Sequence, residues 1–495
     1  MNSTPHSALR IPHFECAHSR RDFLFRAGGG FGALALWSLL SRDALSIAHA
    51  ATAVGGNVAV PSLNPLHPNP PMFAAKAKSV IWCFIDGGPS HLDLFDPKPT
   101  LTKLAGQPLP ASFPRPETAM GKTAGTPLMA SQRKFKQYGH AGIWVSDWLP
   151  EIASCVDDMA VIRSCWADGL THVGSVCEMN TGSILMGRPC MGAWVLYGLG
   201  TACDNLPGYV VLTDYPQEPP GGSRQWSTGF MPATYQGTKF RDSKTPILHV
   251  EPEAGYTAAR QRGQLDFIQQ LNRQYLAGRE DDKDLEARIA SYELAYRMQT
   301  AAPEATDISG ETAETLALYG VDQQATAANG RNCLFARRLV ERGVRFVQLY
   351  MGSGSKWDAH TDVEGNHSQY CKETDRPIAG LLKDLKRRGL LDSTLVIWGG
   401  EFGRTPMSES GTGRDHNPYG FTMWMAGGGI KPGTVYGATD EVGLYAVENK
   451  AHIHDIHATA LALLGLDHEQ LTFQHNGRDE RLTITSGTVI KDIIA

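Results

Sequence analysis

The chain has 495 residues, of which 42% are hydrophobic and 20% are charged, and its formal net charge is −5. This composition is typical of a globular protein and excludes the disordered and fibrous classes. The 46 basic and 51 acidic residues form no long run of one sign. The sequence therefore lacks the electrostatic footprint of a nucleic-acid-binding protein, and we expect no nucleic-acid partner.

The amino terminus has the pattern of an export signal. Twin arginines at 20 and 21 precede a moderately apolar stretch at 27–40, and Ala-His-Ala at 48–50 forms a cleavage signal. The apolar stretch is shorter than the about 20 residues that a transmembrane helix needs, so a permanent membrane anchor is the weaker alternative. We expect export by the twin-arginine route to the periplasm or cell envelope, with no stable membrane insertion after cleavage.

Three segments follow from this pattern and from the composition downstream. We predict a twin-arginine signal peptide over residues 1–50, an Ala-, Pro- and Asn-rich linker over 51–78, and one domain over 79–495. Nine cysteines are present without a C-x-x-C pair, which argues against a zinc ribbon or a thioredoxin-type redox pair. Disulfides or buried thiols are both compatible with the spacing, and we expect none of the cysteines to be catalytic.

Within the domain, helical and strand patterns alternate along the chain. In chain order the predicted elements are a strand at 79–85, a long loop to 140, a helix near 148–158, a strand at 159–165, a helical hairpin within 256–300, a helix at 332–343, a strand at 344–352, a helix at 376–392, and strands at 393–400 and 421–429 before a helix at 455–467. Helix followed by strand, repeated in this way, predicts an α/β fold with a largely parallel sheet and helices on both faces.

Ligand-type side chains cluster where these strands end. They follow the strands at 79–85, 344–352 and 393–400, or precede the strand at 421–429, and they are Asp86, His91, Asp93, Asp358, His360, Glu401, Asp415 and His416. Open α/β sheets bind their ligands at the carboxyl ends of the strands, so these residues predict a site for a divalent metal. Mixed carboxylate and imidazole ligands favour zinc, manganese or iron over calcium.

Each of these residues also has a simpler interpretation. An aspartate after a strand commonly caps a helix or forms a turn, because its side chain satisfies loop amides. A lone histidine in a loop is commonly solvated or satisfied within the core. The prediction of a metal site therefore depends on four separate strand ends carrying such residues together.

Several phrases of the chain resemble one known family. These are "GGPSHLDLFDPKP", "ARRLVERGVRFVQ", "WDAH", "EFGRTP", "GRDHNPYG" and "ATALALLGLD". They are similar to DUF1501, an exported bacterial family of sulfatase-like proteins in the alkaline phosphatase/sulfatase superfamily. The resemblance runs from about residue 75 to the end, and it implies an alkaline phosphatase/sulfatase-like fold.

The resemblance also implies roles for individual residues. Asp86 matches the aspartate that ends the first strand, and Asp358 with His360 resembles the Asp and His metal pair of the superfamily at tighter spacing. Glu401 stands where an aspartate ligand belongs, Phe402 replaces the second ligand there, and His416 resembles the late histidine ligand of the phosphatases. The helix with His454 and His457 resembles one that packs rather than reacts.

The chain departs from the sulfatases at the nucleophile. Thr181-Gly182 fits the sulfatase Thr-Gly, but counting back from it reaches His172, with Thr171 beside it, and no Cys-x-Pro-Ser-Arg is present. A sulfatase of the formylglycine type is therefore not expected. His172 remains open as a third nitrogen ligand, a nucleophile or a general base, or as a residue that only fills its loop.

The function expected from these features is metal-dependent hydrolysis of phosphate or sulfate esters in the cell envelope, on a small-molecule or glycan substrate. Thr171, His172 and Arg404 are the candidate catalytic residues, and the cofactor is a divalent metal. One alternative is a metal-bearing but inactive relative that binds anionic glycans or lipids. A second alternative is an envelope structural protein that uses only the fold, because fold does not fix function.

Overall fold

The computed structural model describes residues 66–495 except 120, 122, 215, 242–246, 248–254 and 277–282. The predicted signal peptide lies outside the described residues, as does most of the predicted linker. Within the described part of the chain, no helix is both long enough and apolar enough to cross a membrane.

The strands are numbered here in chain order. They are β1 Ser79–Ile85, β2 Phe135–Tyr138, β3 Ile143–Ser146, β4 Met159–Trp166, β5 Tyr209–Thr213, β6 Thr238–Arg241, β7 Phe346–Met351, β8 Thr394–Gly399, β9 Gly403–Glu409, β10 Gly413–Asn417, β11 Phe421–Ala426, β12 Thr434–Tyr436, β13 Ala438–Thr439, β14 Ala446–Glu448, β15 Ala451–His452, β16 Phe473–His475 and β17 Arg478–Glu480. The central strands are rich in β-branched and aromatic residues, which favour extended backbone, and all seven side chains of β1 are buried.

Nine of these strands form the central sheet. Its order is β12-β4-β11-β8-β1-β7-β5-β6, and β15 also pairs with β4. β11 is antiparallel to both β8 and β4, whereas the other pairings in the sheet are parallel. The predicted largely parallel sheet is confirmed. The reversed β11 also explains why residues that precede it lie at the edge where its neighbours end, which we call the carboxyl edge.

Both faces of the sheet are covered, which is why its strands read as continuous apolar runs. Successive residues of β1 point to opposite faces: Ile81, Cys83 and Ile85 pack in one core, whereas Trp82 and Phe84 pack in the other. Over the central strands neither face meets water, so these strands do not need the alternation of apolar and polar residues that marks a half-exposed sheet. The outer strands β6 and β12 retain partly exposed side chains.

The helices are likewise numbered in chain order. They are α1 His91–Leu94, α2 Pro99–Lys103, α3 Pro150–Ala153, α4 His172–Thr181, α5 Met191–Leu199, α6 Ala258–Leu276, α7 Lys283–Thr306, α8 Ala313–Leu318, α9 Ala327–Glu341, α10 Val363–Arg387 and α11 Ile453–Leu463. Short 3-10 turns occur at Thr123–Gly125, Val156–Asp158, Gly222–Trp226, Ala233–Tyr235, Leu391–Ser393 and Lys491–Ile493. Helices α9 and α10 contribute to the first core, and α5 and α11 contribute to the second.

Some predicted elements differ from the observed ones. The helix predicted near 148–158 is the short α3 followed by a 3-10 turn. The helix predicted to begin at Arg376 begins at Val363, because α10 accommodates Pro377 in its interior. Proline has no backbone N–H to donate and is therefore favoured in the first turn of a helix. Pro377 consequently suggests a helix that begins near residue 376, and the observed start at Val363 is hard to predict from the sequence.

Candidate metal centre

Five segments of the chain meet at the carboxyl edge of the sheet. Asp86 follows β1 directly, and Glu401 follows β8 after one intervening glycine. Asp358 and His360 lie in the loop between β7 and α10, and His172 opens α4 after β4. The fifth segment is the hairpin of β9 and β10, which carries a further histidine just before the reversed strand β11.

Asp358 lies at the centre of a group of three histidines. Its Oδ1 is 3.0 Å from His360 Nε2 and 3.3 Å from His416 Nε2, and its Oδ2 is 3.2 Å from His172 Nε2. Each of the four residues offers one ligand atom, and these atoms all lie within 4.8 Å of one another. We call His172, Asp358, His360 and His416 the four-residue cluster.

Partners outside the cluster fix the rings of two of its histidines. His416 Nδ1 lies 2.8 Å from the carbonyl oxygen of Leu170, and because a carbonyl only accepts, Nδ1 carries the proton and donates. His360 Nδ1 is hydrogen-bonded to the carboxylate of Glu409. Metal-binding histidines usually donate from one ring nitrogen to a neighbouring carbonyl or carboxylate, which leaves the other ring nitrogen facing the metal.

His172 is held in the same way by a carboxylate. Its Nδ1 lies 2.7 Å from Glu401 Oε1, while its Nε2 lies 3.2 Å from Asp358 Oδ2. Burial disfavours the imidazolium form, but the neighbouring carboxylates of Asp358 and Glu401 outweigh it and raise the pKa of His172 to about 9. An imidazole held by a carboxylate at Nδ1, with Nε2 facing other ligand-type atoms, is the arrangement expected of a metal-binding histidine.

The spacing of the cluster fits a metal ion. In a tetrahedral zinc site with bonds of about 2.0–2.1 Å, neighbouring ligand atoms lie about 3.3 Å apart. His360 Nε2 and His416 Nε2 are 3.2 Å apart, close to that value, as are their distances to Asp358 given above. Nitrogen and carboxylate ligands of this kind suit zinc, manganese or iron.

The charge of Asp358 is stabilised from several directions. Burial acts to raise its pKa, but the three histidines and the guanidinium of Arg404 outweigh burial and hold the pKa of Asp358 far below its usual range. Arg404 Nη2 donates to Asp358 Oδ1 at 2.7 Å. The Asp358 side chain retains 25% of its exposure, so the cluster is open to solvent and to a substrate.

Asp86 lies deeper, at the end of β1. Its Oδ2 accepts hydrogen bonds from the backbone N–H groups of Gly354 at 2.8 Å and Ser355 at 3.2 Å, while its Oδ1 is buried without a partner. Burial, followed by the charge of Glu401, raises the pKa of Asp86 well above its usual value. A cation beside Oδ1 would satisfy this carboxylate.

A glycine lets the loops at these strand ends approach so closely. Gly87 has φ of +119°, and its backbone N–H donates to both carboxylate oxygens of Glu401 at 3.0 and 3.2 Å. A Cβ at this position would lie 2.6 Å from the backbone nitrogen of Trp357, the neighbour of Asp358. Only glycine therefore allows β1, Glu401 and the Asp358 loop to meet here.

Two residues predicted as metal ligands lie apart from the cluster. Asp93 forms a buried ion pair with Arg414 at 2.8 Å and accepts from Ser90, and these contacts account for its charge. His91 Nε2 lies 2.8 Å from the Gly443 carbonyl oxygen, and burial lowers the pKa of His91. Helix α1 turns both side chains away from the cluster, and we leave them out of the proposed ligand set.

The remaining predicted residues lie in or beside the site. Asp415 accepts from Thr123 Oγ1 at 2.7 Å and from the backbone of His416 at 2.7 Å, and one of its oxygens groups with His360 and Glu409. Arg404 is fully buried, and it donates to the carbonyl oxygens of Gly87, Gly88 and Arg414 as well as to Asp358. These contacts favour a positioning role for Arg404 over contact with a substrate.

Glu409 and the Leu170 carbonyl were not among the residues predicted from the sequence, although both orient histidines of the cluster. Glu409 lies on β9, whose hairpin with β10 was not predicted, and Leu170 lies in the loop between β4 and α4. A signal for this hairpin exists in the polar stretch "SESGTGRD", where Ser410 and Gly411 adopt positive φ in the turn.

A second group of ligand-type residues has a structural explanation. Glu178 accepts from the backbone of Asp168 and Gly169, and His452 Nδ1 caps the first turn of α11. His452 Nε2 lies 3.6 Å from Asp168 and 3.5 Å from Glu178, farther than the contacts of 3.0–3.3 Å between Asp358 and its three histidines. These capping contacts account for the positions of the Glu178 and His452 side chains.

Solved structures similar to this chain include enzymes acting on sulfate and phosphate esters. The sulfatase PsFucS1 from Pseudoalteromonas sp. is 15% identical with a TM-score of 0.32, and the match covers 78% of this chain and 68% of that one. A TAB5 alkaline phosphatase mutant with Mg bound is 11% identical with a TM-score of 0.33, covering 80% of this chain and 100% of that one. Ps i-CgsB is 10% identical with a TM-score of 0.34, covering 79% and 72%.

Sequence comparison identifies the family directly. No curated protein matches the chain at a significant level. The family model described as Protein of unknown function (DUF1501) matches residues 77–494, which is most of the chain and contains every residue of the four-residue cluster. The chain therefore belongs to the DUF1501 family.

Proposed function

We propose that this protein is a metal-dependent hydrolase of phosphate or sulfate esters that acts in the cell envelope on a small-molecule or glycan substrate. One observation carries the proposal: His172, Asp358, His360 and His416 bring four ligand atoms within 4.8 Å of one another at the carboxyl edge of the sheet. The resemblance of the surrounding motifs to the alkaline phosphatase/sulfatase superfamily gives the reaction class.

The four-residue cluster is the proposed ligand set for a divalent metal, with zinc, manganese or iron favoured over calcium. A divalent cation held by these four residues and open to a fifth ligand would polarise an ester oxygen or lower the pKa of a bound water. Leu170, Glu409 and Glu401 hold the three imidazoles in place through their other ring nitrogens. This support keeps each ring oriented before a ligand arrives.

The start of α4 is the proposed binding position for the anionic part of the ester. The helix spans 10 residues from His172 to Thr181, and the amides of its first turn have no partner within the helix. Such a helix start attracts phosphate and sulfate groups through its free N–H groups and its dipole. His172 brings this helix start directly to the cluster.

We assign His172 as a ligand rather than as the nucleophile. Its Nδ1 contacts Glu401 and its Nε2 faces Asp358 within the cluster, so neither nitrogen is left for attack on an ester. Thr171 is exposed, and its hydroxyl makes no capping hydrogen bond to α4. The Thr171 hydroxyl is therefore the proposed nucleophile among the side chains, and an activated water is its competitor.

A metal-bearing protein that only binds anionic ligands is the second candidate function, and one observation favours it. The ring of Phe402 stacks on His416 with centroids 4.3 Å apart, and it stands where the resemblance places a second metal ligand. An apolar ring at that position argues for a single metal. If one metal does not suffice for hydrolysis, the protein would bind anionic ligands without cleaving them.

The test combines metal analysis with a screen of aryl phosphates, phosphodiesters and sulfates. We expect turnover by the metal-loaded protein, and joint loss of metal and turnover in His172→Ala. Thr171→Ala should retain metal but lose activity by a factor of about 10² or more, while Thr171→Ser retains part of it. Full turnover in Thr171→Ala would assign the attack to water, and the absence of turnover with any ester by protein of full metal content would favour the binding function.

A further inference from the structure

An apolar surface borders the start of α4. Val173 is 48% exposed, Ile184 is 47% exposed and Leu185 is 71% exposed, although each would be more stable out of water. Single exposed apolar side chains are common, but a group of them beside a functional site points to a ligand. We call these three residues the apolar rim.

The apolar rim adjoins the four-residue cluster through the chain itself. Val173 directly follows His172, so it lies on the first turn of α4. Ile184 comes after the end of the helix, yet its loop folds back so that a Cβ on Gly174 would lie 3.7 Å from the Ile184 Cβ. The loop therefore brings Ile184 beside the first turn of α4, and Leu185 follows it directly in the chain.

Polar contacts hold the loop in this position. The backbone N–H of Leu185 donates to Ser183 Oγ at 3.1 Å, and Thr181 Oγ1 donates to the Ser183 carbonyl oxygen at 3.3 Å. At the far end of the loop, Arg188 donates to the Glu480 carboxylate at 2.9 Å and to the Arg481 carbonyl oxygen at 2.9 Å. The exposed side chains are thus presented by an anchored backbone, which limits the entropy lost when a ligand covers them.

The segment that carries the apolar rim contributes no exposed charge of its own, and the exposed Arg224 borders it at Met186, whose Sδ lies 3.5 Å from Arg224 Nη1. Between residues 169 and 187, Glu178 is the one Asp, Glu, Lys or Arg in the sequence, and it is buried. A polyanionic ligand would need cationic side chains to bind this segment. An apolar group needs no cationic partner. Covering the rim with such a group removes apolar surface from water and therefore stabilises the complex.

We propose that the apolar rim binds the alcohol portion of the substrate, and that this portion is an alkyl or aryl group. The inference rests on the proposed function, because it places the phosphate or sulfate group at the cluster and at the start of α4. The organic group then extends over Val173, Ile184 and Leu185. The substrate class is accordingly an ester of an apolar alcohol rather than of a highly charged glycan.

Binding of alkylphosphonates and alkylsulfonates tests this inference without any reaction. In each series the anionic head is constant, no ester bond is present, and only the chain grows from methyl through butyl to hexyl. Calorimetry with the metal-loaded protein should show affinity rising by roughly twofold per methylene, since a fully buried methylene is worth about fourfold and the rim leaves part of the chain in water. Phenyl and naphthyl phosphonates and sulfonates, measured in parallel, show whether the rim prefers aryl or alkyl groups.

A double variant provides the matched comparison. Ile184→Ser with Leu185→Ser should remove most of the gain per methylene while metal content stays at the wild-type level. Val447→Ser changes a residue that is 55% exposed outside the rim, and it should keep the full gain. Equal thermal melting of the variants shows that each one folds.

The outcomes separate this inference from the proposed function. A chain-length gain that the double variant abolishes supports the apolar rim even if no ester is turned over, in which case only the hydrolase fails. Ester turnover by wild type with affinity independent of chain length would overturn the rim and leave the hydrolase standing. A gain that persists unchanged in the double variant would also overturn it, as would no binding of either series by metal-loaded protein.

Discussion

At the scale of single residues, a buried histidine away from the cluster shows how the environment sets its role. His457 on α11 is fully buried, and its Nε2 donates to the Met179 carbonyl oxygen at 2.7 Å. Burial, with a smaller contribution from the neighbouring His454, lowers the pKa of His457 to about 3. This histidine is held neutral by the core, in contrast to His172, which is surrounded by carboxylates.

This difference predicts part of the acid sensitivity of the fold. In the unfolded chain His457 takes up a proton below about pH 6.5, whereas in the folded chain it stays neutral to about pH 3. Its contribution to the free energy of unfolding is therefore present above pH 6.5 and falls by about 1.4 kcal/mol per pH unit below it. His457→Gln should remove that slope, as measured by urea unfolding at several pH values between about 7 and 4.

The control for this prediction is His140→Gln, which changes an exposed histidine and should leave the slope as it is in wild type. Parallel pH profiles for wild type and His457→Gln would contradict the prediction. They would mean that His457 titrates in the folded protein as it does in the unfolded chain.

At the scale of elements, the hairpin of β9 and β10 is what assembles the cluster. It carries Glu409 and His416, and it docks on the loop that carries Asp358 and His360. The Arg414 N–H donates to the Ala359 carbonyl oxygen at 2.9 Å, and Val363 N–H donates to that of Thr412 at 3.1 Å. These backbone contacts hold the two halves of the ligand set together.

Gly413 is the point of closest approach in this docking. A Cβ there would lie 2.1 Å from the backbone carbonyl of His360, so Gly413→Ala must push the hairpin and the loop apart. We expect a loss of about 1–3 kcal/mol in the free energy of unfolding and a weaker metal site. Gly125→Ala is the control, because a Cβ at Gly125 meets nothing within 4 Å. Wild-type metal affinity and stability in Gly413→Ala would show that the hairpin does not need this contact.

The same hairpin is the part of the site that could not be predicted from the sequence, whereas the strand ends could. Asp86, Asp358 and Glu401 were predicted at one edge because the carboxyl ends of parallel strands meet there. The hairpin residues "GRDHN" read as a polar loop, yet all five are buried, because Arg414 pairs with Asp93 and Asp415 accepts a hydrogen bond from Thr123. Burial of charge depends on such distant partners, which local sequence pattern does not contain.

Residues close together in the sequence need not lie close to the same site in the fold. His91 and Asp93 follow β1 within a few residues, but α1 turns them toward Gly443 and Arg414. His416, by contrast, is far from β1 in sequence, and the reversed direction of β11 brings it to the carboxyl edge. Strand direction was not evident in the sequence, because a buried antiparallel strand has the same apolar pattern as a parallel one.

At the scale of the whole molecule, the predicted export signal implies that the proposed substrate is met in the periplasm or cell envelope. The signal rests on Arg20, Arg21 and the Ala-His-Ala at 48–50. Changing both arginines to lysine should leave the precursor in the cytoplasm, and wild-type protein from the envelope fraction should begin at Ala51. Recovery of the intact amino terminus from that fraction would contradict cleavage at this site.

The central claim is that the four-residue cluster binds a metal, and the most direct test is the metal content of protein purified without chelator. Wild type should contain about one zinc, manganese or iron ion per chain, and Asp358→Asn and His416→Ala should each lose most of it. Their melting temperatures should also fall, because a metal that binds only the folded state stabilises it. Asp168→Asn, a carboxylate outside the cluster, should keep both. Substoichiometric metal in wild type, with both Asp358→Asn and His416→Ala melting as wild type does, would contradict the claim.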